Sequence, residues 1–483
     1  MHSQMFSPLD ESVIMQFFSH VRPTLALALP IMAGQVSQML IGLVDSAMVG
    51  HYSTSAFAGA ALALNVANIP TVFGMSVLSG LSVRVAQAQG ARDDKRTADL
   101  LRHGLWGSVV LGVLITLFMF LLLPLLGHLG QAPKVVQEAR PFFMLLALSV
   151  LPVIVGMAAK SFGDAMQNPW PPTLLFLASV PLTAFLNWIL IYGHLGFPSL
   201  GLVGAGIATL LARTISCVAL LYWLFFAKRF ASVRPARWRG RLQVAQIREL
   251  ASLGIPTGLQ VGVEVGAFSA GAIIVGMLGE IPLAAHQIAI TCAGMAFMFP
   301  LGIAIATTVR IGNAVGARQL AQIRPIGITS AVIGTLIMMV SGLIFWFFGR
   351  DIASAFVSHP TPNVTDAKTL AVVNLAARLL VVASLFQLFD GVQVTMAGAL
   401  RGLGDATVPM IVTTVGYWFL ALPFGYALVF KVGLGAQGMW MGFALGLGIV
   451  AVSLWMRFQH RTRPNDLREI AAKLPSDAVL AAH

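Results

Sequence analysis

Charge is scarce in this chain. Only 10% of its 483 residues are Asp, Glu, Lys or Arg, against about a quarter in an ordinary soluble domain, while 57% are hydrophobic and the mean hydropathy is +0.84. That deficit excludes a soluble globular protein and makes this an integral membrane protein. Cysteine is scarcer still. Cys217 and Cys292 both fall in apolar stretches, so a disulfide framework is excluded and packing is their reading. No His, Cys, Asp and Glu cluster has metal-ligand spacing, and a nucleophile motif and a phosphate loop are also missing, which leaves no cofactor and argues against a membrane-embedded enzyme. The apolar runs lack the polar alternation of a membrane barrel, whose strands are about ten residues long. The N-terminus has no basic segment followed by a short apolar core and a small-residue cleavage site, so no removable signal peptide is expected.

What is present is length. Apolar stretches near the roughly 20 residues that cross a bilayer fall at about 24–50, 54–80, 104–127, 141–163, 170–193, 201–227, 250–277, 282–306, 326–348, 370–399, 408–430 and 435–457. They predict an all-α integral membrane protein of twelve transmembrane helices. The chain also echoes itself. VRVAQAQGAR at 83–92 and VRIGNAVGAR at 309–318 match at a spacing of 226, which also aligns Pro30 with Pro256 and Val49-Gly50 with Val275-Gly276. A spacing of 232 aligns Gly201, Leu202 and Gly206 with Gly433, Leu434 and Gly438. A duplicated bundle of membrane helices is a common transporter plan. The expected division is an N-terminal six-helix lobe over 1–227, a basic connector over 228–249, a C-terminal six-helix lobe over 250–458 and a tail over 459–483.

A net charge of +12 would suggest nucleic acid for a soluble protein, but here the positions of the charges matter more than their sum. Alternating the loops groups Arg84, Arg92, Lys95, Arg96, Arg102, Lys160, Arg310, Arg318, Arg324 and Arg401 on one side with the basic connector and Arg457, Arg461, Arg463 and Arg468. The other side holds Lys134, Arg140, Arg350, Lys368, Arg378 and Lys431. By the positive-inside rule both termini are expected in the cytoplasm. Residues 7–20 read as a short amphipathic surface helix with Ser7 as N-cap and Ile14, Phe17 and Phe18 toward lipid.

Three acids lie well inside apolar stretches: Asp45, Glu264 and Asp390. A charge at a helix centre costs about 2.5–3.5 kcal/mol even on the lenient insertion scale, so such residues normally face a cavity and act there; the bland alternative is a satisfied polar pair between helices. Asp390 is about 17 Å of helix from Arg378 and from Arg401, and Glu264 about 23 Å from Glu249 and Glu280, which places both near mid-membrane; Asp45 belongs to the outer half of helix 1. The repeat puts Gln38 opposite Glu264 and Gly271 opposite Asp45, so the scaffold is duplicated and the acids are not. Gln387 and Gln393 share the face of Asp390, and Gln260 lies one turn before Glu264, between Gly262 and Gly266 on its far side and Pro256 on its near side. Gln38 and Asp45 share a stripe with Gly34 and Gly42. Pro30 and Pro256 each remove a backbone donor early in helices 1 and 7, as a bend or a passive kink. His286 reads as a helix-packing hydrogen bonder ahead of a proton relay, and Arg213 is the one cation expected in the membrane.

The motifs VDSAMVG (44–50), LNWILIYG with the following GLVGAGIAT (186–209), AAHQ (284–287) and FDGVQVTMAGALRGLGD (389–405) resemble the multidrug and toxic compound extrusion (MATE) transporters, in their NorM-like branch. The resemblance implies two six-helix lobes facing each other in a V, in a bacterial inner membrane, and export of cationic amphipathic compounds in exchange for inward-moving Na+ or H+. It makes Glu264 and Asp390 the cation-site carboxylates of the C-terminal lobe, able to hold Na+ if sodium is the coupling ion. Asp45 becomes the acid of the N-terminal lobe and Asn187 its partner. One departure stands at Phe386, where some relatives carry tyrosine, which removes a hydroxyl from the site.

The expected partners are therefore cationic small molecules and the bilayer, with no nucleic acid and a monomeric chain. The rival within the same superfamily is a lipid-linked saccharide flippase. Its anionic pyrophosphate would need several buried cations where this sequence offers Arg213 and buried acids.

Overall fold

In a bilayer every backbone polar group must be satisfied inside its own segment or a closed barrel, and runs this long and this apolar meet that condition as helices. The computed structural model describes residues 11–128, 130–235, 238, 243–357 and 366–472, and all regular structure in them is helical. Twelve helices among the described residues are long and apolar enough to span a membrane: α1 Ser19–Tyr52, α2 Thr54–Gly90, α3 Asp94–His128, α4 Pro133–Ala165, α5 Trp170–Tyr192, α6 Gly201–Phe226, α7 Val244–Gly276, α8 Glu280–Gly316, α9 Leu320–Val357, α10 Ala367–Gly402, α11 Thr407–Phe430 and α12 Ala436–Arg461. A short helix, α13, follows at Pro464–Ala472.

Several helices run beyond the expected stretches. Arg84 and Arg310, read above as loop charges, lie inside α2 and α8. Ser7 lies outside the described residues. The backbone from Glu11 onward is one continuous helix to Tyr52, so this part of the expected surface helix is an extension of α1 and not a separate element. Helical structure also continues through Pro30 in α1 and Pro256 in α7.

The sequence echo has a structural meaning. Arg92 and Arg318, its last residues, both adopt φ of 57°, a left-handed conformation that costs a non-glycine residue roughly 1–2 kcal/mol. Each ends its helix with the same pair of bonds: Asp93 N donates to Ala88 O at 3.0 Å and Arg92 N to Gln89 O at 3.0 Å, while Gln319 N donates to Ala314 O at 2.8 Å and Arg318 N to Val315 O at 3.1 Å. Satisfying the orphan carbonyls in this way offsets the strained residue.

The chain forms two compact units, one of Met1–Met32 with Val263–His483 and the other of Ala33–Gly262. Helices α1 and α7 are thus each shared between units. Within the first unit, Arg310 of α8 donates to the His20 carbonyl at 3.1 Å and to the Thr24 hydroxyl, both at the start of α1. In the second unit Arg84 and Arg96 reach Glu249 at the start of α7, at 3.1 and 2.9 Å. There α2 and α7 pack backbone to backbone, because a methyl group on Gly80 would strike the Leu250 carbonyl and one on Gly254 the Val77 carbonyl. The echoed arginines Arg84 and Arg310 therefore do matching work, each holding the leading end of a repeat. The core of the first unit is rich in aromatics, with Phe386, Tyr417, Trp440 and Phe443 buried together.

Candidate functional site

Among the described residues the acids singled out in the sequence fall into two polar groups inside the helices, one in each unit. In the first unit, Glu264 of α7 is half-buried and its Oε1 accepts the Tyr417 hydroxyl at 3.2 Å. Tyr417 is wholly buried and sits in a π-helical stretch of α11, Val415–Ala421. Such widened turns inside α-helices are frequent at functional sites. Next along α11, Trp418 donates its indole N–H to the Val263 carbonyl at 3.0 Å, and Gly266 leaves room for that ring. Asp390 of α10 is 4% exposed and lies within electrostatic range of Glu264. Among the described residues no ion pair neutralises either carboxyl group.

The surroundings are apolar and aromatic. Phe268 lies 6.1 Å from Phe386, 5.6 Å from Tyr417 and 4.9 Å from Phe443, ring centre to ring centre. Phe386 in turn lies 5.9 Å from Trp440. The Trp440 indole donates to Nδ1 of His286 at 3.1 Å, and both residues are wholly buried. A ring nitrogen that accepts carries no proton, so this bond holds His286 in the form protonated at Nε2 alone. Gln387 and Gln393, on the Asp390 face, are buried, and the Gln387 amide and the Gln393 carbonyl oxygen have no hydrogen-bond partner among the described residues. Gln260 is buried one turn before Glu264.

In the second unit, Asp45 of α1, Asn187 of α5 and Thr209 of α6 meet. Asn187 is wholly buried and donates its amide to Asp45 Oδ1 at 2.6 Å, a short bond of the charge-assisted kind. Thr209 Oγ lies 3.5 Å from Asp45 Oδ2 but 2.9 Å from the Ala205 carbonyl, and its single proton serves the nearer acceptor. Tyr192 steadies the same end of α1 by donating to the Met48 carbonyl at 2.8 Å. Gln38, two turns earlier on α1, bonds Gln35 at 3.2 Å and does not join the Asp45 group through a side-chain bond. Arg213, one turn beyond Thr209, neither snorkels nor forms a close ion pair. Its guanidinium donates to Ser149 Oγ at 2.7 Å.

One expectation is corrected. Arg213 is not the one embedded cation, nor are Asp45, Glu264 and Asp390 the full set of embedded acids. Lys160 and Asp164 of α4 are both 2% exposed and form an ion pair at 2.6 Å. Opposite charges four residues apart share a helix face and neutralise each other, so the spacing of Lys160 and Asp164 is the signal in the sequence, and grouping Lys160 with the loop charges hides it. Tyr417 was also missed. A phenol inside an apolar stretch needs a partner for its hydroxyl, and that need was visible in the sequence although the partner was not.

Comparison with known proteins is consistent across sequence and structure. The MatE family model matches residues 30–189 and 256–427, one segment in each repeat. A Bradyrhizobium diazoefficiens protein named "Probable multidrug resistance protein NorM" is 35% identical over 469 residues, covering 96% of this chain and 97% of that protein. The Burkholderia vietnamiensis "Multidrug resistance protein NorM" is 34% identical over 448 residues, covering 92% and 94%. Among solved structures, the eukaryotic MATE transporter AtDTX14 superposes with a TM-score of 0.84 at 20% identity, covering 95% of this chain and 99% of that one. A MOP superfamily transporter from Pyrococcus furiosus, described as having a binding pocket of reverse polarity that suggests a different function, superposes with a TM-score of 0.85 at 20% identity over 96% and 100%.

Proposed function

This chain belongs to the MatE family, and we propose that it is a multidrug efflux antiporter of the bacterial inner membrane, with both termini cytoplasmic, that exports cationic amphipathic compounds in exchange for Na+ or H+. As a member of this family it is a transporter and not an enzyme. The fold alone does not choose the cargo, since one architecture carries unrelated functions and a close structural neighbour is described with a pocket of opposite polarity. Side-chain chemistry has to choose.

The observation that supports the reading is the contrast among the embedded acids. Asp164 has its cation built in, Lys160 at 2.6 Å, and is structural. Glu264 and Asp390 form no ion pair among the described residues, Glu264 having only the more distant Arg401 within electrostatic range, although they sit in an aromatic surround. A buried carboxylate without a cation takes up a proton or a metal ion. Glu264, Asp390 and the unpartnered side-chain carbonyl oxygens of Gln387 and Gln393 are oxygen donors of the type that holds Na+. A cationic drug supplies the same neutralising charge in another form, so ion and drug compete. If ion loading favours one orientation of the transporter and drug loading the other, the inward ion gradient drives the drug outward.

The flippase reading lacks a comparable support. Among the described cations within the helices, Lys160 is already paired, Arg213 is engaged with Ser149, Arg310 is engaged with His20 and Thr24, and Arg401 lies within electrostatic range of Glu264, which leaves little to receive a pyrophosphate. The test is equilibrium binding of ethidium to the purified protein. Ethidium should bind, be displaced by Na+ or by acid, and bind at least tenfold more weakly to Asp390→Asn. A protein that binds an anionic dye and not ethidium would end the proposal.

A further inference from the structure

The antiport mechanism leaves unused the basic connector and a groove in the second unit that ends beside it. The groove, about 690 Å³, lies between the start of α5 and the end of α6 and is lined by Leu174, Leu175, Ile215, Val218, Ala219 and Trp223 among others. Its one threonine, Thr214, has its hydroxyl committed to the Leu210 carbonyl at 2.7 Å. Sites for drug-like molecules combine an apolar wall with a few polar groups that fix orientation. This wall has almost none, and it suits a hydrocarbon chain. Leu174, Val218 and Tyr222 of the lining are exposed on the outer surface of the helices. Tyr222 and neighbouring Trp170 are aromatics of the kind that settle at the membrane–water interface.

The connector side of the groove is cationic and structurally fixed. Phe230, wholly buried, packs edge-on against the groove residue Trp223 at 5.1 Å and against Phe162 at 5.7 Å. It thereby docks the turn Lys228–Phe230 onto the groove wall. Lys228 and Arg229 of that turn are exposed. Arg234 donates to the carbonyl of Ala227 at 2.6 Å, which holds a third cation against the last turn of α6. Among the described residues none of the three is in an ion pair with an acid. A cationic drug would be repelled there, whereas a phosphate would be attracted.

We propose that this groove and its basic turn bind an anionic glycerophospholipid, with one acyl chain along Leu175, Val218 and Ala219 and the phosphate on Lys228 and Arg229. Basic pockets between membrane helices bind anionic headgroups in this way. The lipid would tie the connector to the membrane surface at the point where the chain passes between its two repeats.

The test places the full-length protein in nanodiscs that mix phosphatidylglycerol with phosphatidylcholine and counts retained lipids by native mass spectrometry. Wild type should retain phosphatidylglycerol over phosphatidylcholine. The surface double variant Lys228→Gln/Arg229→Gln should lose about tenfold or more of that preference, and Lys95→Gln, an exposed charge elsewhere, should keep it. Ala219→Trp, which fills the groove, should lower retention of both lipids. Equal retention of the two lipids by wild type would overturn the proposal. So would an unchanged preference in the double variant, or a groove variant that loses ethidium and keeps lipid.

Discussion

Removing one oxygen atom should tighten the coupling ion's hold on the first unit. Tyr417→Phe keeps the ring, its 5.6 Å packing against Phe268 and its burial, and deletes the hydroxyl that donates to Glu264 at 3.2 Å. A hydrogen bond to an ionised group contributes about 1.5–3 kcal/mol. At 3.2 Å this one belongs to the lower end, and about 1.4 kcal/mol corresponds to a tenfold change in an equilibrium constant. The sign follows from competition for one oxygen. In the empty site the phenol stabilises the Glu264 carboxylate, and an arriving cation must share or displace that bond. Without the hydroxyl the empty site is less stable and loading is easier. The half-saturating concentration of the coupling ion in transport assays on proteoliposomes should fall about tenfold, and the maximal rate should fall as ion release slows. An unchanged or higher half-saturating concentration would refute the reasoning and mark the bond as incidental.

Other substitutions probe the remaining contacts. Asn187→Leu removes the 2.6 Å donor to Asp45 at nearly constant volume, and vesicle uptake should drop about tenfold at equal protein amount, the equivalent of one charge-assisted bond. Lys160→Met leaves Asp164 buried and unpaired and should cost about 3–5 kcal/mol, whereas Lys160→Met/Asp164→Leu should be close to neutral; thermal unfolding in detergent separates the two. Gly80→Ala, whose methyl meets the Leu250 carbonyl, should destabilise by about 1–3 kcal/mol. Gly107→Ala, with nothing within 4 Å, should stabilise α3 by about 0.5–1 kcal/mol, both read by the same melts.

The helical architecture was legible because the bilayer admits few solutions: runs of Leu, Ile, Phe and Val near α4 or α9 cannot be satisfied as anything but helices. The repeat was legible too, and the matched left-handed arginines Arg92 and Arg318 show that it was more than coincidence of letters. The three acids could be picked out because an embedded charge is expensive wherever its partner lies. Partners were harder to find. Asp45 is 142 residues from Asn187 and Glu264 is 153 from Tyr417, and helical periodicity relates neighbours on one helix, not faces of different helices. Asn187 came from a family resemblance, and Tyr417 came from the fold. The pair Lys160–Asp164 was hidden for another reason: Lys160 lies at the very end of the 141–163 stretch and Asp164 just past it, where a charge reads as belonging to the loop, and the helix continues to Ala165 and buries both. The sharing of α1 and α7 between units could not be read from hydropathy, because Met32 and Gly262 sit in ordinary apolar helix.

The most direct test of the central claim, that Glu264 and Asp390 exchange a coupling ion for a cationic drug, is ethidium uptake into inverted membrane vesicles. Imposed Na+ and pH gradients are compared one at a time for wild type, Glu264→Gln and Asp390→Asn. The account predicts uptake driven by at least one gradient in wild type and lost in both variants at equal protein level. Gradient-driven uptake that persists in both variants would contradict it and reduce the two acids to packing groups.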